Sequence, residues 1–177
     1  MAGSVRSRSP EPRAARAEEL CALPAIEQRA GELLKGHPAY TVFAGHGLDL
    51  QTLQEGLQRG QLWVVDAADG GVAGYLLAGE LCGEFHVLQM DVDPTHARRG
   101  HGRALLRHAM AQARGGGYAA AVLTTLSDVP WNAAFYASEG FAVVPQAEWN
   151  DGLRAVMAEE AALGFPMNLR VAMRRVW

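Results

Sequence analysis

The sequence predicts a single mixed α/β domain with helices packed against a central sheet. Three observations predict it. The 177 residues are 49% hydrophobic, which is enough to bury a sizeable core. Apolar residues recur at helical spacing up to about position 59, then gather into short strand-like runs from Leu62 onward. No internal repeat and no linker divides the chain.

Residues 1–13 are polar and carry Arg, Ser, Pro10 and Pro12; they are expected to form a disordered tail, with the domain over 14–177. Arg and Ser also mark transit peptides, but the prolines and the acids that follow favour a plain tail. Leu20, Ile26 and Leu33 among Glu and Arg predict an amphipathic helix over 17–34. His37, Pro38 and several glycines make 36–47 a loop. Leu50, Leu53 and Leu57 predict a helix over 49–59, with Gly60 as its stop. A strand over 62–65 turns at Asp69-Gly70-Gly71 into a second arm over 72–80. A further strand spans 84–92, and Pro94 marks its end. Over 102–114, Leu105, Leu106, Ala109, Met110 and Ala113 share one side of a helix that Gly115-Gly116-Gly117 stops. A strand over 119–126, a helix over 131–139, a strand over 141–144, a helix over 151–163 and a strand over 169–176 complete the reading.

Composition excludes several classes. The net charge of −3 gives no electrostatic reason for nucleic-acid binding. No apolar run reaches the roughly 18 residues that cross a bilayer. Cys21 and Cys82 do not make a disulfide framework and read as reduced thiols, the expectation for a cytoplasmic protein without a metal site. Lys35 is the only lysine beside many arginines, as in a GC-rich bacterial genome.

Chemistry concentrates after the 84–92 strand, in Asp91-Val92-Asp93-Pro94 and then Thr95-His96-Ala97-Arg98-Arg99-Gly100-His101-Gly102-Arg103-Ala104. This is a strand, a glycine-bearing turn and a helix start. A helix start offers free backbone N–H groups and the positive end of the dipole to an anion. Gly100 and Gly102 remove side chains where a phosphate would approach, and Arg98 and Arg99 add charge. A tight turn alone would also explain the glycines. A dinucleotide fingerprint would need glycine at position 105, which is Leu105, and a Walker loop would need Gly-Lys-Ser/Thr.

Thirty residues beyond Gly102 lies Asn132, in Val129-Pro130-Trp131-Asn132-Ala133-Ala134-Phe135-Tyr136-Ala137-Ser138-Glu139-Gly140-Phe141. The two segments together resemble the GNAT superfamily of acetyl-CoA-dependent N-acetyltransferases, closely over 71–144. In that family a strand ending in Val-x-Pro runs into a Q/R-x-x-G-x-G/A turn. Here Ala97 stands at the first, Gln/Arg, position. The resemblance implies a GNAT fold: a mostly antiparallel mixed sheet flanked by helices, with a splayed strand pair at the coenzyme. It implies acetyl-CoA as cosubstrate, held by Met90, Asp91 and Val92 on the strand, by Arg98, Arg99, Gly100, His101, Gly102, Arg103 and Ala104 at the turn, and by Asn132 and Tyr136. It also implies direct attack of an amine on the thioester, with an oxyanion donor from the strand ending at Val92. A GNAT-fold acyl-CoA sensor without turnover is the alternative, which the alanine at 97 favours and Asn132 and Tyr136 oppose.

Tyr136 is then the candidate acid for the leaving thiolate, against the reading of a core aromatic. Asn132 would contact the coenzyme, serve as a helix N-cap, or both. For the base, Glu84, His86, Leu88, Met90 and Val92 share one strand face if no bulge intervenes. His86 is the first candidate and Glu84 the reserve, and a partly exposed strand histidine is the competing reading. His101 reads as a solvent-facing spacer. Glu27, Glu32, His37, Tyr40 and Phe43 occupy the acceptor region; Glu27 and Glu32 would pair with a cationic amine or stand as solvated helix charges. The resemblance implies a small-molecule or peptide amine as acceptor and leaves its identity open. The C-terminal helix and strand, ending at Trp177, would cover the site or pair with a second copy in a homodimer.

Overall fold

The computed structural model describes residues 10–177. Seven strands form one sheet in the order β1-β2-β3-β4-β5-β7-β6. They are β1 (Pro12–Ala14), β2 (Leu62–Asp66), β3 (Val72–Leu81), β4 (Glu84–Val92), β5 (Ala120–Leu126), β6 (Ala142–Val143) and β7 (Arg170–Val176). The helices are α1 (Leu23–Gly31), α2 (Tyr40–Gly45), α3 (Leu50–Gln58), α4 (His101–Gly115), α5 (Ala133–Ser138) and α6 (Asp151–Leu163). Every neighbouring pair is antiparallel except β4 and β5. The fold is therefore the mixed, mostly antiparallel α/β architecture the sequence predicts.

The alternation of β3 divides the core in two. Leu76 and Ala78 face α4, where Leu105, Leu106, Ala109 and Met110 meet Phe85 and Val87 of β4. Tyr75 and Leu77 face the other way, onto Leu23 and Ile26 of α1 and Leu53 of α3. Each fully buried leucine contributes roughly 1.5–3 kcal/mol. Toward β5 and β7 that second face is covered by α6, through Leu153 on Val122 and Ala172. A buried ion pair fixes α6 there: Arg170 Nη2 donates to Glu160 Oε1 at 2.6 Å and to Thr124 Oγ1 at 2.9 Å.

Caps explain the helix boundaries. The Asp49 carboxylate accepts from the Thr52 N–H at 2.7 Å at the start of α3, and Asn150 accepts from the Leu153 N–H at 2.9 Å at the start of α6. Four expectations shift. The loop expected over 36–47 contains α2, because Tyr40 and Phe43, three apart, pack with Phe165 beside buried Leu126 and Val129. The single helix expected over 17–34 is α1 between two 3-10 turns, Ala17–Ala22 and Glu32–Leu34. The helix expected over 131–139 begins at Ala133. Of the expected tail, residues 1–9 lie outside the described residues, and Pro12 and Arg13 belong to β1, an edge position that tolerates proline.

The register between β3 and β4 slips by one residue: Leu77 pairs with Gln89, but Ala78 pairs with Val87. Leu88 is the extra residue, a β-bulge that inverts the facing of everything after it. Gly74 sits opposite Val92 at the far end of this ladder. A Cβ there would lie 2.7 Å from the Asp91 carbonyl oxygen and 3.1 Å from the Val92 Cα. Backbone cannot yield as a side chain can, so Gly74→Ala is expected to cost about 1–3 kcal/mol in urea unfolding. Parent-like stability in that variant would contradict this close approach.

Candidate active site

The centre of the sheet is open. β4 and β5 pair only through Phe85 with Ala121 and His86 with Val122. Beyond those two pairs the strands diverge, and the β4 edge from Leu88 to Val92 has no ladder toward β5. A splayed parallel pair leaves backbone donors and acceptors facing the gap, which a bound molecule can satisfy.

One wall of the gap is the start of α4. Gly100 is its N-cap, in the left-handed region at φ 82°, and Arg98 also has positive φ, at 60°. A non-glycine residue there carries strain, which fits a turn shaped for a purpose. The backbone N–H groups from Arg98 through Arg103 meet no backbone acceptor among the described residues; the first to do so is that of Ala104, bonded to the Gly100 carbonyl at 2.9 Å. The direction normally taken by a Cβ at Gly102 leads to Val92 Cγ2 at 3.6 Å and Met90 Cε at 3.9 Å. The turn thus lies directly against the splayed end of β4. Arg98 and Arg99 are exposed and form no ion pair among the described residues.

The opposite wall is α5. Asn132 occupies its N-cap position, yet its side chain caps nothing. Its carbonyl accepts from the Tyr136 N–H at 3.1 Å, so the two residues stand one turn apart. The Tyr136 ring packs edge-on against Phe141, with centroids 5.9 Å apart. Burial, and next the charge of Asp91, hold its phenol well above the usual tyrosine range. Glu139, 7% exposed, locks α5 to α4: it accepts from Arg103 Nε at 2.7 Å and Arg107 Nε at 2.8 Å. Arg103 therefore gives its guanidinium to this clamp and leaves only its backbone N–H at the turn.

The bulge at Leu88 revises the proton-acceptor candidates. Met90 and Val92 face α4, while Glu84 and His86 face α6, so the expected common face does not exist. Glu84 is ion-paired with Arg174 on β7. His86 sits at the vertex of the gap, 7% exposed, and burial pushes its imidazole down to about 4. His101 is also corrected. It is 9% exposed, stacked edge-on with His96 at 6.4 Å, and its Nδ1 has no partner among the described residues. Here the turn folds its side chain inward.

The same alternation turns Asp91 toward α1, where Glu27 stands. Asp91 faces Tyr75 on the α1 side, accepts from the Tyr75 hydroxyl at 3.2 Å and from Gln89 Nε2 at 2.6 Å, and is raised to about 6 by burial. Glu27 on α1 is not a solvated helix charge. Its carboxylate accepts from the Leu48 N–H at 3.0 Å, and burial raises it. Glu32 is exposed beside Lys35, His37 is bonded to Asp128, and Trp177 donates to the Tyr118 carbonyl at 2.6 Å, just past the C-terminal end of α4 and so at the other end of that helix from the turn. No helix among the described residues is long and apolar enough to cross a membrane, and no group of three or more potential ligands could hold a metal ion.

Residues 58–143 match the acetyltransferase (GNAT) domain family. Solved structures share the architecture at low identity. The N-acetylglutamate synthase of Neisseria gonorrhoeae, complexed with coenzyme A and N-acetyl-glutamate, superposes with a TM-score of 0.72 at 16% identity, covering 97% of this chain and 36% of that one. The PaiA N-acetyltransferase of Thermoplasma acidophilum, in complex with coenzyme A, gives 0.67 at 15% identity, covering 96% of this chain and all 100% of that one. The ribosomal-protein-S18-alanine N-acetyltransferase of Escherichia coli gives 0.64 at 20%, covering 94% and 93%.

Proposed function

We propose that the chain, whose residues 58–143 match the acetyltransferase (GNAT) domain family, moves an acetyl group from acetyl-CoA to a primary amine by direct attack in a ternary complex. The observation that carries this reading is the two-pair contact between β4 and β5, which ends beside the unpaired amides of the α4 turn. Acetyl-CoA supplies an activated thioester. The protein's part is to hold it, expose its carbonyl and manage two protons.

The amides from Arg98 to Arg103 receive the pyrophosphate, the Ala104 N–H being taken by the Gly100 carbonyl, with Arg98 and Arg99 adding charge in place of the Gln/Arg side chain that Ala97 lacks. The open edge of β4 at Met90, Asp91 and Val92 lies where a pantetheine arm would pair as a strand does, and an N–H at its Val92 end faces the developing oxyanion. Asn132, free of capping duty, reaches the same arm. Tyr136 donates its proton to the departing thiolate. An alkyl amine of pKa near 10.4 must shed its proton first, which costs about 4–5 kcal/mol at pH 7. Glu84, held by Arg174, and His86, depressed by burial, are poorly suited to take it. Direct transfer also suits the cysteines, since Cys21 and Cys82 are exposed, outside both walls of the gap.

Thiol release from acetyl-CoA tests the reading against L-glutamate, spermidine and an alanyl peptide. These span free amino acids, polyamines and protein N-termini. Release that depends on at least one of these amines is expected. The missing Gln/Arg at Ala97 favours a second reading, an acyl-CoA sensor; it predicts calorimetric binding of acetyl-CoA with no amine-dependent release.

A further inference from the structure

We propose that Asp91, positioned by Tyr75 and Gln89, is the proton acceptor for the amine, so that donor and acceptor meet through the sheet from opposite faces. This rests on the acetyltransferase reading and assigns its missing base. The geometry comes from the bulge at Leu88, which turns Met90 and Val92 toward the α4 turn and Gln89 and Asp91 toward α1. Asp91 is thus flanked in sequence by the two side chains that line the coenzyme wall, while its own carboxyl points through to the other side.

Three groups on the elements around it respond to that carboxyl. Tyr75 on β3 donates to Oδ2 at 3.2 Å, and Glu27 on α1 and Tyr136 on α5 each have their protonation held up in part by the negative charge of Asp91. On its own strand Gln89 donates to the same Oδ2 at 2.6 Å. Both hydrogen bonds fall on one oxygen, and among the described residues none falls on Oδ1, which can accept from an ammonium. Burial lifts the carboxyl to about 6 and pushes His86 down to about 4, so the same burial that weakens His86 as a base strengthens Asp91. A carboxyl at this value is ionised at neutral pH and still basic enough to serve. With Glu27 on the same side, the acceptor is taken as a cation: an alkyl ammonium rather than an amine already neutral.

The proton balance closes. Asp91 takes one proton from R–NH3+, and the freed lone pair forms the C–N bond. The C–S bond breaks, and its electron pair leaves on sulfur, which takes the Tyr136 proton. The second proton lost by nitrogen returns to Tyr136 through water. The Asp91 proton passes to solvent, giving amide, free thiol and one released proton.

The test compares the parent, Asp91→Asn and Tyr75→Phe in thiol release across pH, using whichever amine of the panel above reacts fastest, and trifluoroethylamine, which is largely neutral at pH 7. For the parent, kcat/KM should rise with pH through about 6 and then level, because the base is inactive while protonated. Asp91→Asn should lose about a hundred- to ten-thousand-fold with the alkyl amine at pH 7, and its kcat/KM should keep climbing tenfold per pH unit toward the amine's own pKa. It should react with trifluoroethylamine nearly as the parent does. Tyr75→Phe removes a hydrogen bond to the charged carboxylate, so its limb should move to higher pH while the plateau recovers; a purely structural role would lower the plateau and leave the limb in place. Parent-like rate and pH profile in Asp91→Asn would overturn the proposal. A parent inactive with every amine would overturn the acetyltransferase reading itself.

Discussion

Tyr136→Phe is expected to lower kcat by about a hundredfold or more, with acetyl-CoA binding unchanged. The substitution keeps the ring, its edge-on contact with Phe141 and its place on α5, and deletes only the hydroxyl. Without it the thiolate must leave unprotonated or wait for water. Burial and the charge of Asp91 hold the phenol above its ordinary range, so it stays protonated throughout neutral pH. The same shift makes it a weaker acid, which places the loss toward the lower end of the usual hundred- to ten-thousand-fold span. The deficit should be the same at pH 6 as at pH 9, because the group does not titrate between them. A turnover within about threefold of the parent, measured where chemistry limits the rate, would leave Tyr136 as a packing residue.

Gly102→Val should weaken acetyl-CoA binding by about ten- to a hundredfold, the equivalent of one hydrogen bond to a charged group. A single Cβ fits at this position, since its nearest neighbours would be Val92 Cγ2 at 3.6 Å and Met90 Cε at 3.9 Å. The two further methyls of valine have nowhere to go but against the splayed end of β4 or over the unpaired amides. Gly102→Ala, by contrast, should bind within about threefold of the parent. Replacing glycine near a helix start does not weaken the helix, so the melting temperature should not fall. Calorimetric titration of both variants separates the outcomes; an undiminished affinity in Gly102→Val would move the pyrophosphate elsewhere.

Much of this was legible in the sequence. The glycine-bearing turn, the helix behind it and the Asn132–Tyr136 spacing are local features, and local features survive folding with their meaning intact. The facing of β4 was not legible. Period-two alternation put Glu84, His86, Met90 and Val92 on one face, and a single extra residue at Leu88 separated them. Nothing in Val87-Leu88-Gln89 announces a bulge, because its cause lies in pairing with β3. Asp91 was named for its backbone and proved informative through its side chain. β1 and α2 were missed for a similar reason: each is short and rests on contacts with Val64 and Phe165 far away in sequence. His101 and Glu27 carry polar groups whose burial depends on neighbours that only the fold supplies.

The most direct test of direct transfer is a single-turnover experiment with enzyme in excess over acetyl-CoA. Thiol is followed first without amine and then after amine is added. No burst is expected before the amine, and one thiol should then be released for each amine acetylated. A stoichiometric burst before any amine is present would reveal an acetyl-enzyme and contradict attack within a ternary complex.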